Sequence, residues 1–315
     1  MSNPAESFEP YRQRLLGLAY RMLGSMSDAE DAVQDAYLRW HGADRDQVSN
    51  PKAFLMTTTT RLCLDMLTSA RARREEYVGQ WLPEPVVDAA ALSPDTRTEL
   101  AEDLSVALLL TLDRLSPLER AAFLLHDVFD FSFSEVAAAL DRSEAACRQL
   151  ASRARGHVRA ARPRGVTAPT PPADDVDGKH AQLLYAFGAA TQSGDLRALT
   201  QLLASDVRVV TDGGGKVRSA PNVIEGADRA AQFLVEVTRK RPGQWWRDDF
   251  RVRLAAVNGL PGFVVDAPEG VVQTAAFEIE GDAIRALYVV RNPDKLRHLA
   301  AVSTRPVPDP GGSPL

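Results

Sequence analysis

Apolar residues recur every three or four positions through the first half of the chain, which is the periodicity of helices that bury one face. Between residues 8 and 74 this pattern predicts three helices. The first is closed by Gly24, the second begins after Ser27, and the third begins near Pro51, a residue suited to a first helical turn. A second helical unit is predicted between residues 98 and 162.

The last two helices of that unit are short and joined by a tight turn. Ser132 and Glu135 form a capping box, so one helix should begin near Phe133. It should end near Leu140, because residues 141–143 offer turn chemistry and a new N-cap. The pair matches a helix-turn-helix, whose second helix enters the major groove of DNA. An ordinary helical hairpin with a solvated basic face is the alternative interpretation.

The periodicity changes after residue 178. An amphipathic helical pair is predicted first, and strand-like runs separated by Gly, Pro and Asn follow it. These runs are DVRVVTD, GFVVDA, GVVQTAAFEIEG and AIRALYVVRN. Antiparallel strands after helices predict an α+β domain in which a curved sheet wraps helices, a shape that often encloses a cavity. The chain is therefore predicted to be multidomain, with two all-α domains followed by an α+β domain.

Composition changes this interpretation only through the uneven distribution of charge along the chain. A chain of 315 residues allows two or three domains, and 45% hydrophobic with 25% charged residues excludes disorder throughout. The net charge of −5 would argue against nucleic-acid binding if charge were evenly spread. However, residues 142–164 hold seven arginines and one acid, Glu144, which favours binding to phosphate.

The remaining chemistry-bearing residues point away from catalysis. Cys63 and Cys147 lie far apart in apolar helical contexts and are expected to be buried thiols in a reducing compartment. The N-terminus lacks an export signal and no apolar run is long enough to span a bilayer, so we expect a cytoplasmic protein without membrane contact. The five histidines lack metal-ligand spacing, and no nucleotide-binding or nucleophile motif is present. We expect no metal, cofactor or enzymatic activity.

Two motifs in the first half carry a family resemblance. Asp28–Trp40 reads DAEDAVQDAYLRW, and the segment from Ser116 reads SPLERAAFLLHDVFDFSFSEVAAALDRSEAACRQLASRARGHV. Between them lies NPKAFLMTTTTRLCLDMLTSARARR. In this order they resemble the extracytoplasmic-function group of sigma-70 transcription initiation factors. The resemblance implies a region 2 that binds RNA polymerase core and reads the minus-ten promoter element, and a region 4 that reads the minus-thirty-five element.

The second half resembles a SnoaL-like domain, a cone-shaped α+β fold. With WLPEP at 81–85, DGGGK at 212–216 and NPDKL at 292–296, the chain is similar to the SigJ-like subgroup of these sigma factors, in which such a domain is fused at the C-terminus. The resemblance implies that this domain packs on the sigma domains and linker and adjusts polymerase activity in cis. Prolines stiffen the first motif, and the glycines of the second let another segment approach closely.

The resemblance and the side-chain chemistry together assign roles to residues. An acidic stripe beside apolar residues suits a basic partner surface, so the residues expected to bind polymerase are Asp28, Asp31, Gln34, Asp35, Leu38 and Trp40. Those expected to bind minus-ten DNA are Thr57, Thr60, Arg61, Arg71, Arg73 and Arg74. Those expected to bind minus-thirty-five DNA are Arg148, Gln149, Ser152, Arg153 and Arg155. Helix packing is the equal alternative for the threonines, and Leu150 leaves the register of the recognition helix open.

The three short motifs are expected to form the regulatory contacts between domains. Their residues are Trp81, Leu82, Pro83, Glu84 and Pro85; Asp212, Gly213, Gly214, Gly215 and Lys216; and Asn292, Pro293, Asp294, Lys295 and Leu296. The resemblance divides the chain into region 2 (1–74), a linker (75–97), region 4 (98–162), a proline-rich linker (163–177), the SnoaL-like domain (178–300) and a disordered tail (301–315).

Two other functions are compatible with parts of the chain. A one-component DNA-binding regulator would sense a small ligand with its third domain, but would not need the Asp28–Trp40 segment. A SnoaL-type isomerase with a DNA-binding appendage would draw its catalytic groups from Tyr185, Asp206, Asp266 and Tyr288, which show no diagnostic spacing. The expected partners are RNA polymerase core and promoter DNA, and a small ligand of the third domain is left open.

Overall fold

Two helical domains precede an α+β domain in the computed structural model, as expected from the sequence. The structure describes residues 4–75, 77–87, 105–161, 178–240 and 250–299, without the side chains of 45, 68–75, 161 and 240. The proline-rich linker, the C-terminal tail and the linker beyond residue 87 lie outside the described residues. Among the described helices, none is both long and apolar enough to cross a membrane.

The N-terminal helical domain consists of α1 (Pro4–Leu23), α2 (Met26–Gly42) and α3 (Pro51–Glu75). Helix α2 begins two residues earlier than predicted, because its N-cap is Ser25, whose hydroxyl accepts from the Asp28 N–H at 3.1 Å. The threonine run of α3 remains helical, since residues 59 and 60 pack in the core and the Thr60 hydroxyl donates to the Met56 carbonyl at 2.8 Å.

The second helical domain consists of α4 (Val106–Asp113), α5 (Pro117–Phe123), a π-helical turn (Leu124–Val128), α6 (Phe133–Leu140) and α7 (Glu144–Ala161). The capping box of Ser132 and Glu135 is present and α6 has the predicted bounds. Asp141 ends it in the left-handed conformation, with a φ of 53°. Helices α6 and α7 therefore form the predicted tight helix pair.

The two helical domains share one apolar core. Its buried side chains include Leu15, Leu23 and Leu55 from the first domain and Leu124, Val136 and Val158 from the second. Arginines join the domains at helix ends: Arg120 donates to the Met22 carbonyl at the end of α1 and to Asp113 at 3.2 Å. Burial lowers the pKa of Arg120 to about 10. We call this shared core with its arginine contacts the helical junction.

The C-terminal domain contains three longer helices and a six-stranded sheet. The helices are α8 (Lys179–Ser193), α9 (Leu196–Leu202) and α10 (Ala227–Lys240), and a short α11 (Pro293–Leu296) follows the last strand. The strands are β1 (Leu203–Asp212), β2 (Ile224–Glu225), β3 (Arg251–Val257), β4 (Leu260–Ala267), β5 (Gly270–Glu280) and β6 (Ala283–Val290).

The sheet has the order β2-β1-β6-β5-β4-β3 and is mixed. The expectation of antiparallel strands is wrong for β1 and β6, which pair in parallel because the chain passes through α10 and four strands before β6 returns beside β1. Strands β2 and β3 were not predicted from the sequence. The other neighbouring strands pair antiparallel.

Both faces of this sheet are covered. On one face, Val207, Val209 and Phe277 pack under the helices. On the other face, Val264 and Tyr288 belong to an apolar cluster that contains Leu82 and Val87 of the linker and Val106 of α4. Val87 also pairs with Val257 at the edge of the sheet. The linker between the helical domains is thus built into the C-terminal domain, which places the predicted regulatory motifs close together.

Candidate functional site

One face of α2 is exposed to solvent. Asp31, Gln34 and Asp35 are exposed and Leu38 is 58% exposed, at the three- and four-residue spacing of a helix face. Asp28, in the first turn, is half-buried. An exposed leucine among carboxylates is suited to binding a surface that is both basic and apolar.

Trp40 does not lie on that face, so its assignment to a partner surface is wrong. Its side chain is 2% exposed and its indole N–H donates to the Ser7 hydroxyl at 3.1 Å. The indole also packs against Phe54, with ring centroids 5.7 Å apart. Trp40 has the periodicity of the buried side of α2, and a large apolar ring is stabilised there.

Of the six DNA-binding residues predicted on α3, the structure describes the side chains of Thr57, Thr60 and Arg61. Thr60 is buried and Thr57 half-buried, so for Thr60 the packing alternative is correct. The Arg61 guanidinium donates to two carbonyls at the end of α6, those of Ala139 at 3.0 Å and Ala138 at 2.9 Å. The side chains of residues 71, 73 and 74 lie outside the described residues.

The outer side of α7 carries the predicted major-groove residues. Arg148, Gln149, Ser152 and Arg153 are exposed, and Arg155 is half-buried. Leu150 is partly buried against the core and Ala151 is buried, which fixes the register that the sequence left open.

Each of three arginines on α7 pairs with a carboxylate. The pairs are Arg148–Glu144 at 2.6 Å, Arg153–Glu119 at 2.8 Å and Arg155–Asp127 at 2.6 Å. Hydrogen bonds from Ser116 and from Arg153 hold the pKa of the Glu119 carboxyl below its usual value. These contacts hold the arginines along one side of α7.

The three short motifs meet at Asp212, the last residue of β1. Its carboxylate is fully buried and accepts four hydrogen bonds. From the linker, the Tyr77 hydroxyl donates at 2.5 Å and the Leu82 N–H at 2.9 Å. From the C-terminal domain, the Gly214 N–H donates at 3.0 Å and the Lys295 ammonium at 2.7 Å. We call these residues, with Trp81 and Asn292, the latch.

The linker surrounds the Lys295 ammonium with aromatic rings. The ammonium lies 4.4 Å from the Trp81 ring centroid and 4.8 Å from that of Tyr77, and it donates to the Leu82 carbonyl. Burial raises the pKa of Tyr77, and its hydrogen bond to Asp212 raises it further. The Asn292 amide donates to the Tyr77 hydroxyl at 2.8 Å. The latch therefore encloses a lysine of one domain between aromatic rings of the linker.

The glycines of the second motif allow this close approach. A Cβ on Gly214 would lie 2.2 Å from the Asn292 amide nitrogen, and the φ of Gly214 is 59°. Beside them Lys216 pairs with Asp294. That contact, a hydrogen bond from the lysine, is the largest cause that holds the pKa of the Asp294 carboxyl below its usual value. The second and third motifs therefore fit together for two reasons: Gly214 leaves room for the Asn292 side chain, and Lys216 pairs with Asp294.

The linker also contacts the first helical domain. The Tyr20 hydroxyl in α1 donates to the Glu84 carbonyl at 2.6 Å and accepts from the Asn258 amide at 2.7 Å. The Glu84 N–H donates to the Gly24 carbonyl at 2.9 Å. Asn258, between β3 and β4, also donates through its N–H to the Val86 carbonyl at 2.8 Å. One linker segment therefore joins the α1–α2 turn to the β-sheet.

Tyr20, Tyr77 and Asn258 belong to this site, although no sequence motif predicted their contacts. Only Asn258 has a local signal, because Asn-Gly marks a tight hairpin turn, and its φ is 51°. That signal predicts the turn and gives no indication of the contact with α1.

The residues considered for catalysis have separate structural surroundings. Tyr185 is exposed, Asp206 pairs with Arg285 at 2.6 Å, and Asp266 pairs with Arg253 at 3.1 Å. The Tyr288 hydroxyl donates to Glu278 at 3.1 Å, and burial raises its pKa. Across the part of the chain that the structure describes, no group of three or more His, Cys, Asp or Glu side chains could hold a metal ion.

Comparison with known proteins decides the family. Residues 8–73 match the model of sigma-70 region 2, and residues 105–158 match that of sigma-70 region 4. The chain is 40% identical over 300 residues to the ECF RNA polymerase sigma factor SigJ of Mycobacterium tuberculosis, a match that covers 91% of each chain. This chain belongs to the extracytoplasmic-function sigma factor family.

Two further comparisons extend over nearly the whole sigma factor. A probable ECF RNA polymerase sigma factor SigI of Mycobacterium tuberculosis is 30% identical over 298 residues, covering 94% of this chain and 95% of the relative. The crystal structure of the M. tuberculosis extracytoplasmic function sigma factor SigJ matches with a TM-score of 0.71 and 35% identity, over 93% of this chain and 98% of that one. The two helical domains are hence regions 2 and 4 of the sigma factor.

Proposed function

We propose that this sigma factor directs RNA polymerase to promoters and that its C-terminal domain controls promoter binding in cis. It would do so by holding the linker and keeping region 4 in contact with region 2. The observation that carries this proposal is the buried Asp212 carboxylate. It accepts hydrogen bonds from Tyr77 and Leu82 of the linker as well as from its own domain. The linker that joins the two DNA-binding regions is thereby fixed to the regulatory domain.

With regions 2 and 4 in contact, which we call the closed arrangement, the two regions do not span the distance between the two promoter elements. The minus-ten and minus-thirty-five elements are about 25 base pairs apart, which is about 85 Å of duplex. Each helical region is about 30 Å across at its size, and its longest helix, α3 with 25 residues, is about 38 Å long, so two regions in contact span about 60–75 Å. Regions 2 and 4 touch through Arg61 and the Ala139 carbonyl, 3.0 Å apart. Recognition of both elements therefore requires the regions to separate.

Two surfaces of region 2 differ in the closed form. The face of α2 with Asp31, Asp35 and Leu38 is exposed, which supports binding to polymerase core without opening. Arg61 is exposed, but two of its guanidinium nitrogens donate to the α6 carbonyls of region 4, so these bonds would have to break before the whole guanidinium could bind DNA phosphate. Control by the C-terminal domain would then act on promoter binding after polymerase binding.

Reconstituted polymerase tests the regulatory part. Core polymerase carrying the full chain, the latch variant Asp212→Asn or the control Asp206→Asn is measured for core affinity, promoter affinity and transcription. Asp206 lies on the same strand, but its side chain is 64% exposed. We expect Asp212→Asn to raise promoter affinity at least about 5-fold. Unchanged or weaker promoter binding by Asp212→Asn would contradict control through the latch.

Charge reversal on α2 tests the polymerase face separately. The double variant Asp31→Lys with Asp35→Lys should weaken core binding at least about 10-fold, because it places like charges against a basic partner surface. Glu9→Lys is the matched control, since Glu9 is exposed in the same region but on α1. Core binding that survives the double reversal would reject this assignment and favour a DNA-binding regulator that needs no polymerase face.

A further inference from the structure

A glutamate of the linker lies at the beginning of the proposed polymerase-binding helix. The Glu84 carboxylate accepts from the Met26 N–H at 2.7 Å and from the Ser27 N–H at 3.4 Å. These are the first two residues of α2, 58 and 57 positions away along the chain. Glu84 itself is 8% exposed. A buried carboxylate from the linker thus closes the first turn of α2.

The first turn of a helix needs such a group. Its first N–H groups have no partner within the helix, and the helix dipole favours negative charge there. The hydroxyl of Ser25, the N-cap, accepts from the Asp28 N–H. The N–H groups of Met26 and Ser27 point to Glu84 instead, so the linker supplies the acceptor for first-turn groups that the Ser25 hydroxyl does not cap.

The main chain of Glu84 fixes the same turn. Its N–H donates to the Gly24 carbonyl and its carbonyl accepts from the Tyr20 hydroxyl. Gly24 ends α1 with a φ of 69°, and this turn determines the angle between α1 and α2. Glu84 therefore contacts the residue at which the chain changes direction. The side chain orders the first turn of α2, and the main chain holds the helix before it.

We propose that Glu84 is a positioning residue for polymerase binding: by capping α2 it orders and orients the exposed face of Asp31, Gln34, Asp35 and Leu38. The proposal rests on the assignment of that face in the proposed function. It adds that docking of the linker strengthens core binding, while the closure of region 4 restricts promoter binding. The linker would then carry two effects of opposite sign.

The test measures the affinity of the full chain for polymerase core. Glu84→Ala should weaken binding about 5-fold, the effect expected for a lost helix cap, and Glu84→Gln should lie between it and wild type. Glu9→Ala is the control, because it removes an exposed carboxylate of region 2 that pairs with Arg12 on its own helix. The first-turn amides of α2 should exchange hydrogen faster in Glu84→Ala and at the wild-type rate in Glu9→Ala.

A rescue variant separates positioning from a loss of folding. Ser27 is exposed in the first turn of α2, so Ser27→Glu supplies a carboxylate to the same helix end. In the Glu84→Ala background it should restore most of the affinity, and in the wild-type background it should change affinity less than about 2-fold. Both results together support the proposal.

Three outcomes would overturn it. Glu84→Ala with wild-type core affinity removes the positioning role, and so does an equal loss in Glu9→Ala. A loss that Ser27→Glu does not restore would show that Glu84 acts elsewhere than at the end of α2. Failure of the wild-type chain to bind core is a different result, since it would reject the polymerase face itself.

Discussion

The helical junction and the latch both hold regions together, but they are built from different interactions. The helical junction is an apolar core with arginines at helix ends: Arg61 of region 2 caps α6, and Arg120 of region 4 caps α1. The latch is built on the ion pair of Asp212 with Lys295, which are 0% and 7% exposed. Apolar burial is non-directional, whereas a buried ion pair is stable only when every hydrogen bond is made.

This difference indicates how the chain would open. The stability of an apolar core is the sum of many contacts, so no single contact decides whether the core is formed. A latch that needs Tyr77, Leu82 and Gly214 in place at once is either closed or open. The latch is thus the part suited to switching, while the helical junction supplies the apolar contact between regions 2 and 4.

The largest effect is expected for Asp212→Asn, which leaves the Lys295 ammonium buried without its carboxylate. Removing one partner of a buried pair costs about 4 kcal/mol. Urea unfolding followed by tryptophan fluorescence measures the loss, since Trp81 lies in the latch. Asp206 lies on the same strand as Asp212 and is an exposed partner of Arg285, so Asp206→Asn should cost less than about 0.5 kcal/mol. Equal losses of unfolding free energy in the two variants would contradict the larger contribution expected for the buried pair of the latch than for the exposed pair.

Gly214→Ala is expected to cost about 3 kcal/mol, because the added Cβ is both strained and in contact with Asn292. Gly281 is a matched control: its φ is 61°, and a Cβ there would meet nothing within 4 Å. Gly281→Ala should therefore show the backbone strain alone, about 1 kcal/mol. The same unfolding measurement compares them. If both variants lose the same free energy, the approach of the two motifs contributes nothing beyond backbone conformation.

Arg61→Met addresses the helical junction and should cost about 1.5 kcal/mol, because two charge-assisted hydrogen bonds to carbonyls are lost from a side chain that is exposed to solvent. The apolar core remains, so a smaller loss than for Asp212→Asn is expected. Arg12→Met is the control, since Arg12 and Glu9 are an exposed pair within one helix. A loss larger than that of Asp212→Asn would reverse the comparison and make the helical junction the polar switch.

The smallest effect concerns the start of α6, the helix whose end Arg61 caps. Ser132→Ala should cost about 1 kcal/mol at neutral pH. The pKa of Glu135 lies below its usual value, chiefly because Ser132 donates to it. A lowered carboxyl pKa stabilises the fold above the ordinary value near 4.5 and loses that contribution as the pH falls through the folded value. The destabilisation by Ser132→Ala, measured by unfolding, should accordingly shrink as the pH falls below the ordinary carboxyl value near 4.5.

Ser143→Ala is the control for this pH dependence. The Ser143 hydroxyl accepts from the Ala146 N–H at 3.2 Å, and no carboxylate occupies the third position of that helix. Ser143→Ala should lose about as much unfolding free energy as Ser132→Ala at neutral pH, and this loss should stay constant as the pH falls. Parallel pH curves for the two variants would argue against the contribution of Glu135.

The parts of the fold predicted from the sequence are those with local causes. Helix α6 has the predicted bounds because Ser132, Glu135 and Asp141 set its ends within a few residues. The error at Trp40 came from its aromatic character, which suggested a partner surface although its periodicity places it on the buried side of α2. For Thr60 the sequence left DNA contact and helix packing equally open, and the packing of α3 on neighbouring helices decided it.

By itself, the sequence determined the two helical regions, the α+β domain, the order of the family motifs and the exposed face of α2, because periodicity and capping act between residues close in the chain. Only the tertiary structure decided that Asp212 binds Tyr77 and Leu82, that Arg61 is held by region 4, and that Glu84 caps α2. These partners are 58 to 135 positions apart. Hydrogen bonds over such separations depend on how complete domains pack, which no local pattern of residues records.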